Sequence, residues 1–171
     1  MRIIFTNMTR ASLLCFALGL LLTTSLTSCG TTFRTAWKKA PDSNSVEGRW
    51  EGTWQSSTSV SRGQLRCAVD KPVPGRHDVL DYVSAEGSIS PPLPRCFFYH
   101  ATWNGAASGS YTSFHDVQRL KDGSIVFKGD YVRPKWAGGV HHYEGTIRGD
   151  DFTACYQSAT DHGTYTMKRV R

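Results

Sequence analysis

The sequence has no apolar segment long enough to cross a membrane as a helix. Its longest apolar run, residues 11–26, is shorter than the about 20 residues that a spanning helix needs. Glycine and proline number only 16 and 7 among 171 residues, which excludes a collagen-like chain. A hydrophobic fraction of 39% excludes a wholly disordered chain, and the length fits one small globular domain.

Sequence signatures of catalytic and phosphate-binding sites are also missing. The chain has no glycine-rich phosphate loop and no nucleophile elbow around a serine. Asp161-His162 lies near Ser158, as in part of a catalytic triad, but Thr-Asp-His-Gly is also a common type of hairpin loop. We therefore expect no enzymatic activity and no catalytic residue.

The six histidines lack the spacing of a metal-binding motif. His141 and His142 are neighbours in a predicted strand, so their side chains point to opposite faces and cannot bind one ion from the same side. His100 and His115 lie in other predicted strands and could converge with one of that pair. Because strand residues without motif spacing seldom bind a metal, we expect no metal and no cofactor.

The start of the chain has the three-part pattern of an export signal. Arg2 and Arg10 precede the apolar run, and small residues follow it. Residues 26–30 are Leu-Thr-Ser-Cys-Gly, which resembles the lipobox of bacterial lipoproteins. This resemblance implies cleavage before Cys29 and attachment of a diacylglyceryl group to its thiol, with enough acyl chains for stable anchoring. The alternative is an ordinary signal peptide whose cleavage site falls near a cysteine.

The lipobox resemblance also implies a location and a first partner. Gly30 stands where an Asp would resemble an inner-membrane retention signal, so the implied location is the bacterial cell envelope, at the outer membrane. The membrane is then a partner through the acyl chains on Cys29. Two of the 20 basic residues, Arg2 and Arg10, lie in the removed segment, and the rest only slightly outnumber the 14 acidic residues. We therefore expect no nucleic-acid partner.

The residues that follow the anchor are expected to form a tether without regular structure. Residues 30–45 are rich in Thr, Ser, Pro and Asn and show no apolar period. Their two aromatic residues, Phe33 and Trp37, stand beside basic residues, an arrangement that suits a lipid headgroup surface. A solvated linker is the interpretation that we favour.

From Val46 onward the sequence has the alternation of β-strands. Apolar and polar residues repeat with period two, and turns rich in Asp and Gly separate the runs. Eight short strands with even spacing predict an all-β fold, an eight-stranded antiparallel up-and-down barrel in which closure removes unpaired edges. The predicted strands are residues 46–55, 64–70, 95–103, 109–120, 124–133, 140–148, 151–158 and 163–170. The predicted parts of the chain are a signal peptide (1–28), an anchor and tether (29–45) and the barrel domain (46–171).

One long insertion interrupts the strands. Residues 71–94 contain five prolines and exceed the usual length of a hairpin loop. Residues 78–83 within it can form a helical turn or a short strand. The insertion is either a lid over the barrel mouth or a surface loop, and we favour the surface loop because insertions cost little free energy.

The first predicted strand resembles the start of a known superfamily. Residues 48–50, Gly-Arg-Trp, are similar to the Gly-x-Trp signature of the lipocalins and the wider calycin superfamily. This resemblance implies that Trp50 plugs one end of the barrel and that a cation from the last strand, Arg169 or Arg171, packs across it. Residues 52–54, Gly-Thr-Trp, repeat the pattern. The chain lacks the second lipocalin motif and a helix after the barrel.

The last part of the chain carries a further resemblance. Residues 136–140, 143–145 and 161–164 are similar to a group of small bacterial lipoproteins. This resemblance implies no particular activity.

The apolar positions of the strands predict the residues of the barrel interior. They are Trp50, Trp54, Leu65, Phe97, Tyr99, Trp103, Phe127, Tyr131, Tyr143, Phe152 and Tyr156. If they enclose about 300 Å³ or more, the barrel can bind a small apolar ligand or lipid. The candidate ligand contacts are Trp50, Trp54, Phe127, Tyr131, Tyr143 and Tyr156.

A second function is equally compatible with this composition. The chain has 5 Trp, 7 Tyr and 8 Phe residues, enough to fill so small a barrel completely. A filled barrel would be a structural or interaction protein of the envelope, with another envelope protein as its partner. The interior volume of the barrel distinguishes the two hypotheses.

The cysteines leave one question open. Outside the signal and the anchor the chain has Cys67, Cys96 and Cys155, so at least one stays unpaired in a monomer. Cys67 and Cys96 lie in successive strands, and an oxidising compartment favours a bridge between them. Their strand positions argue against it, because Cys67 shares a face with apolar neighbours and Cys96 lies opposite the apolar face of its strand.

Overall fold

The computed structural model describes residues 28–72, 85–135 and 138–171. Residues 1–27 of the predicted signal peptide lie outside the described residues. Within the described residues, the helix α1 (Ser28–Lys39) precedes all the strands. The strands are β1 (Gly48–Ser56), β2 (Arg62–Pro72), β3 (Leu93–Trp103), β4 (Ala107–Arg119), β5 (Ile125–Val132), β6 (Val140–Arg148), β7 (Asp151–Gln157) and β8 (His162–Val170).

The eight strands form a closed antiparallel barrel with up-and-down topology. Each strand pairs with the next one along the chain, and β8 pairs back with β1. The sequence prediction of this fold is confirmed. Closure satisfies the backbone groups of both terminal strands, so neither presents an open edge to another chain.

Strict alternation of side chains places the core inside the barrel. In β7 the residues Phe152, Ala154 and Tyr156 are buried and their neighbours are exposed. Tyr165 and Met167 alternate in the same way in β8. Successive side chains of a strand point to opposite faces, so one face of each strand contributes to the filled interior.

Trp50 closes one end of the barrel. Its indole is fully buried and donates a hydrogen bond of 3.1 Å to the carbonyl oxygen of Val46. The guanidinium of Arg169 in β8 lies 4.1 Å from the centre of the indole ring. Arg171 contacts the carboxylate of Asp150 instead, 2.8 Å away. The cation across the plug is therefore Arg169 and not Arg171.

Most of the predicted tether is the helix α1, which packs on the outside of the barrel. The interpretation of these residues as a solvated linker is therefore wrong. Phe33 is 7% exposed, and its ring stacks on His100 of β3 at 5.3 Å. Trp37, one turn later, lies 5.6 Å from Phe33. Residues four apart face the same side of a helix, and their burial against β2, β3 and β4 stabilises a segment too short to be helical alone.

Within the described part of the chain, no helix is both long and apolar enough to cross a membrane.

The long insertion joins β2 to β3 at the end of the barrel that Trp50 closes. Residues 73–84, and with them the predicted turn or strand at 78–83, lie outside the described residues. The remainder returns along β4, where the backbone N–H of Ile89 donates to the carbonyl oxygen of Arg119 at 3.0 Å. Whether as a lid or as a surface loop, the insertion lies at the closed end of the barrel, because the end of β2 and the start of β3 lie there.

None of Cys67, Cys96 and Cys155 forms a disulfide bond. Cys67 is fully buried inside the barrel, opposite Tyr99 in the register of β2 and β3. Cys96 is buried on the other face of β3, because its neighbour Phe97 points inward. The structure therefore has no bridge between Cys67 and Cys96, because the two side chains lie on opposite faces of the barrel wall.

Candidate functional site

Aromatic side chains fill the half of the barrel next to the Trp50 plug. The ring of Phe152 lies 5.5 Å from the indole of Trp50 and 5.0 Å from the ring of Phe127. Phe97 lies 5.3 Å from Phe127. These distances are those of favourable aromatic pairs, so this half of the interior is a packed core.

A buried histidine marks the middle of the interior. His115 of β4 is 1% exposed, and its ring meets Phe97 edge-on at 4.6 Å. The hydroxyl of Tyr99 lies 3.3 Å from its Nε2 atom. Burial lowers the pKa of His115 to about 3, so the imidazole is neutral at physiological pH.

The neighbouring strand, β5, leaves room for this imidazole at a glycine. A Cβ atom on Gly129 of β5 would lie 2.6 Å from Nδ1 of His115. Nδ1 itself has no hydrogen-bond partner among the described residues. The contacts around the ring are aromatic, as expected for a histidine that belongs to the core.

Tyrosines line the other half of the interior. The rings of Tyr99 and Tyr111 stack at 4.9 Å, and those of Tyr143 and Tyr165 lie 6.0 Å apart. The hydroxyl oxygens of Tyr111 and Tyr165 approach to 3.4 Å. Burial raises the pKa of all four phenols, so they stay protonated. Neutral hydroxyl groups therefore converge inside the barrel, away from Trp50.

The carboxylate of Asp161 lies at the edge of these tyrosines. It accepts hydrogen bonds from Tyr156 (2.8 Å), Ser56 (2.6 Å) and Thr58. Burial raises the pKa of Asp161, but these hydrogen bonds outweigh burial and lower it below its ordinary value. The group is an anchored anion at neutral pH.

The predicted hairpin loop at Asp161 is confirmed, and the arrangement of a catalytic triad is not present there. Asp161 lies in the turn between β7 and β8. The hydroxyl of Ser158 donates to the backbone carbonyl oxygen of Asp161 at 3.0 Å. His162 is exposed on the outer face of β8. Ser158 therefore stabilises the turn, and His162 lies on the surface.

Arg133 and His141 stand at the open rim. The guanidinium of Arg133 lies 5.5 Å from the ring centres of both Tyr111 and Tyr131, a cation–π arrangement. His141 is 7% exposed and stacks on Tyr143 at 6.4 Å. Burial lowers the pKa of His141. At neutral pH Arg133 is thus the positive charge next to these tyrosines.

A small cavity lies between these groups. Its volume is about 70 Å³, far below the about 300 Å³ at which pockets for small molecules begin. It takes a few water molecules or one small polar molecule. The lining residues are Trp54, Leu65, Ala101, Trp103, Tyr111, Arg133, His141, Tyr143, Tyr156, Asp161 and Tyr165.

Trp54 borders this cavity and is not a second plug. Its indole nitrogen donates to the carbonyl oxygen of Thr102 at 2.8 Å. The indole reaches across β2 at Gly63, where a Cβ atom would collide with that same carbonyl oxygen. The two Gly-x-Trp patterns of β1 therefore have different roles, and the glycine at position 63 gives the second tryptophan its path.

The six predicted ligand contacts all lie on the inner face, at two different places. Trp50 and Phe127 belong to the packed half. Trp54, Tyr143 and Tyr156 line the cavity, and Tyr131 is partly buried beside it. Their inward orientation is established, and their contact with a ligand stays a prediction.

The sequence prediction missed five residues with polar groups that line this cavity, which are Tyr111, Arg133, His141, Asp161 and Tyr165. Alternation alone places Tyr111 and His115 on one face of β4, yet the serine between them weakens the apolar pattern. Tyr165 follows the same rule in β8. Arg133 and Asp161 carry no such signal, because they lie beyond the strand ends and reach the cavity only through the fold.

The histidines do not meet. His115 and His141 face the interior, whereas His100 lies under α1 and His142 is exposed beside Asp130, 2.8 Å away. The predicted opposite orientation of the neighbouring pair is confirmed. No group of three His, Cys, Asp or Glu side chains in the described ranges is arranged to hold a metal ion.

The plugged end agrees with what the Gly-x-Trp resemblance implies. Trp50 and Arg169 occupy the implied positions. Kinship with the calycins stays a prediction. No protein-family model matches this chain, and neither a curated protein nor a solved structure matches it.

Proposed function

We propose that this protein is a lipid-anchored protein of the bacterial cell envelope whose filled barrel serves as a rigid scaffold for contacts with other envelope proteins. The role is non-catalytic and uses no cofactor. The observation that carries the proposal is the interior, which the protein's own side chains occupy except for about 70 Å³ at one end. That volume is too small for a lipid chain or a drug-sized molecule.

The position of α1 supports a close approach to the membrane. Cys29 lies in the first turn of this helix, and Phe33 one turn later is already buried against the barrel. The anchor therefore leads into a docked element without a long flexible spacer. Arg34, Lys38 and Lys39 are exposed on α1, which suits a surface that faces anionic headgroups.

Cell fractionation tests the anchor. The full-length protein is expected in the membrane fraction of a bacterial host with lipoprotein processing, and Cys29→Ser moves it to the soluble fraction because one substitution removes every acyl chain. Cys155→Ser, the same change at an exposed thiol, is the control and leaves the protein in the membrane fraction. Wild-type protein in the soluble fraction would refute the anchor.

The second candidate function is the binding of a small apolar ligand or lipid inside the barrel. It is favoured by one observation, the aromatic wall that reaches the open rim at the partly buried Tyr131. A bound molecule would have to displace tyrosine side chains, because the present cavity is small. An apolar fluorescent probe that quenches Trp54 in wild type, and whose binding weakens in Tyr143→Trp or Tyr143→Glu, would support this candidate over the scaffold.

A further inference from the structure

We propose that the open end of the barrel binds a small planar oxyanion, of the carboxylate or nitrate class, between the guanidinium of Arg133 and the hydroxyl groups of Tyr111, Tyr143 and Tyr165. This site goes beyond the scaffold function. It requires neither the lipid anchor nor a protein partner.

The size of the cavity selects the ligand. A cavity of about 70 Å³ exceeds the roughly 10–15 Å³ that one water molecule requires. An anion of three or four heavy atoms fits this space, whereas a fatty acid or a nucleotide does not. The walls are rigid, because Trp54 and Trp103 lie at 6.0 Å in an edge-on pair and Trp54 is tied to Thr102.

The three hydroxyl groups interact with one another and can turn toward a ligand as donors. Each neutral phenol carries one O–H that rotates to suit its partner. The 3.4 Å between the oxygens of Tyr111 and Tyr165 is long for an O–H···O bond, whose usual length is about 2.7–2.8 Å. An anion beside both oxygens would accept shorter, charge-assisted hydrogen bonds from them. Tyr156 is not part of the set, because its hydroxyl already donates to Asp161.

Arg133 supplies the positive charge. Among the described residues it has no carboxylate within ion-pair distance, and its guanidinium rests on the ring faces of Tyr111 and Tyr131. Burial raises the pKa of Tyr143, and the charge of Arg133 opposes that shift, so the cation acts on the cavity. A planar oxyanion suits a guanidinium because two parallel N–H groups match two oxygens.

Asp161 is the negative group of the lining, and its charge is already compensated. Three hydroxyl donors, from Ser56, Thr58 and Tyr156, bind its two oxygens. His141 adds no charge at neutral pH, since burial lowers its pKa. Arg133 is the cation of the cavity lining, and it favours an anion over a cation there.

Titration with sodium acetate, and separately with sodium nitrate, tests the site at constant ionic strength. The readout is the pair of indole N–H signals of Trp54 and Trp103 in two-dimensional NMR spectra of the folded Cys29→Ser protein. Saturable shifts with a dissociation constant in the range of about 1–10 mM are expected for both anions. Sodium hexanoate, which carries the same carboxylate on a longer chain, is expected to bind more weakly.

Matched variants assign the effect to the proposed groups. Arg133→Gln is expected to weaken acetate binding by about tenfold or more, and Tyr165→Phe by about threefold or more, because each removes one donor group to the anion. Arg148→Gln removes the same charge at the opposite end, where Arg148 lies 3.8 Å from Asp122, and leaves binding unchanged.

Two results would overturn the site. One is the absence of saturable shifts in wild type up to about 100 mM of either anion. The other is equal affinity in wild type, Arg133→Gln and Tyr165→Phe, all folded as judged by their dispersed spectra. Either result leaves the scaffold function untouched, since membrane fractionation and the filled interior do not depend on anions.

Discussion

Trp50 and Trp54 come from the same tripeptide pattern, yet they reach opposite halves of the barrel. Four residues of a strand span about 13 Å, so two inward side chains at this spacing cannot share one site. Trp50 lies under Arg169 at the closed end, and Trp54 reaches across Gly63 to the open end. The partner of each ring, and not the tripeptide, decides its role.

We expect Trp50→Ala to lower the free energy of unfolding by about 3–5 kcal/mol, because it removes a large aromatic side chain from a packed core. Trp37→Ala is the matched comparison, since Trp37 is only partly buried on the outside, with Arg66 5.7 Å from its ring. It should lower the same free energy by about 1 kcal/mol or less. Urea unfolding measures both, and equal small losses would show that Trp50 is not the plug.

His115 makes the stability of the barrel depend on pH. Its folded-state pKa of about 3 lies below the 6.5 of the unfolded chain, so below pH 6.5 the unfolded state binds a proton that the folded state does not. Stability is therefore expected to fall as pH drops from about 6.5 toward 3, by about 2 kcal/mol at pH 5 from this residue.

His115→Gln isolates this contribution, because His100 and His141, whose pKa values are also lowered by burial, remain. The loss of stability between pH 7 and pH 5, measured by urea unfolding, should be smaller in the variant than in wild type. An equal loss in both proteins would show that His115 does not titrate as a buried group.

The strands and the helix differ in how far the sequence predicts them. All eight strands were predicted, because period-two alternation is maintained over each run and turns separate them; the end residues shifted by two or so, as for β3, which begins at Leu93. In α1 the apolar signal is confined to Phe33 and Trp37, which is too little to define a helical period. This helix is stabilised because its apolar side chains pack against the barrel wall.

Phe33 is expected to hold α1 on the barrel. Phe33→Ala removes the ring that stacks on His100, so the helix should open locally while the barrel stays folded. Hydrogen exchange of the α1 amides should then rise by tenfold or more, on the order of the 1.4 kcal/mol that a tenfold change represents, with β5–β8 unaffected. Thr35→Ala, at an exposed position of the same helix, is the control. Unchanged α1 exchange in Phe33→Ala would contradict the docking.

The sequence predicted the polar half of the interior only in part, through residues such as Trp54, Tyr143 and Tyr156. Apolar alternation identifies Phe97, Phe127 and Phe152 as core, and the structure agrees. Tyr111 and Tyr165 were missed because inward neighbours that are not large and apolar, Ser113 in β4 and Gly163 in β8, interrupt the apolar pattern of these strands. Arg133 and Asp161 join them only after the barrel closes, since loops from distant parts of the chain meet at its open end.

Side chains fill the interior of the barrel completely at one end and almost completely at the other. The extent of this filling distinguishes a scaffold from a carrier of apolar molecules. Closure of eight strands leaves an interior just wide enough for side chains. Here the aromatic residues occupy it, down to a cavity of about 70 Å³. A scaffold needs no more space than this, whereas a carrier does.

Native mass spectrometry of the Cys29→Ser protein, purified from a bacterial host without detergent, tests this property. The Cys29→Ser substitution removes the attached acyl chains, so any lipid that remains is held by the barrel itself. A filled barrel predicts the mass of the bare chain, with no adduct of lipid size. A stoichiometric adduct of several hundred daltons, lost on substitution of Tyr143 by Glu, would contradict the scaffold and establish a ligand-binding barrel.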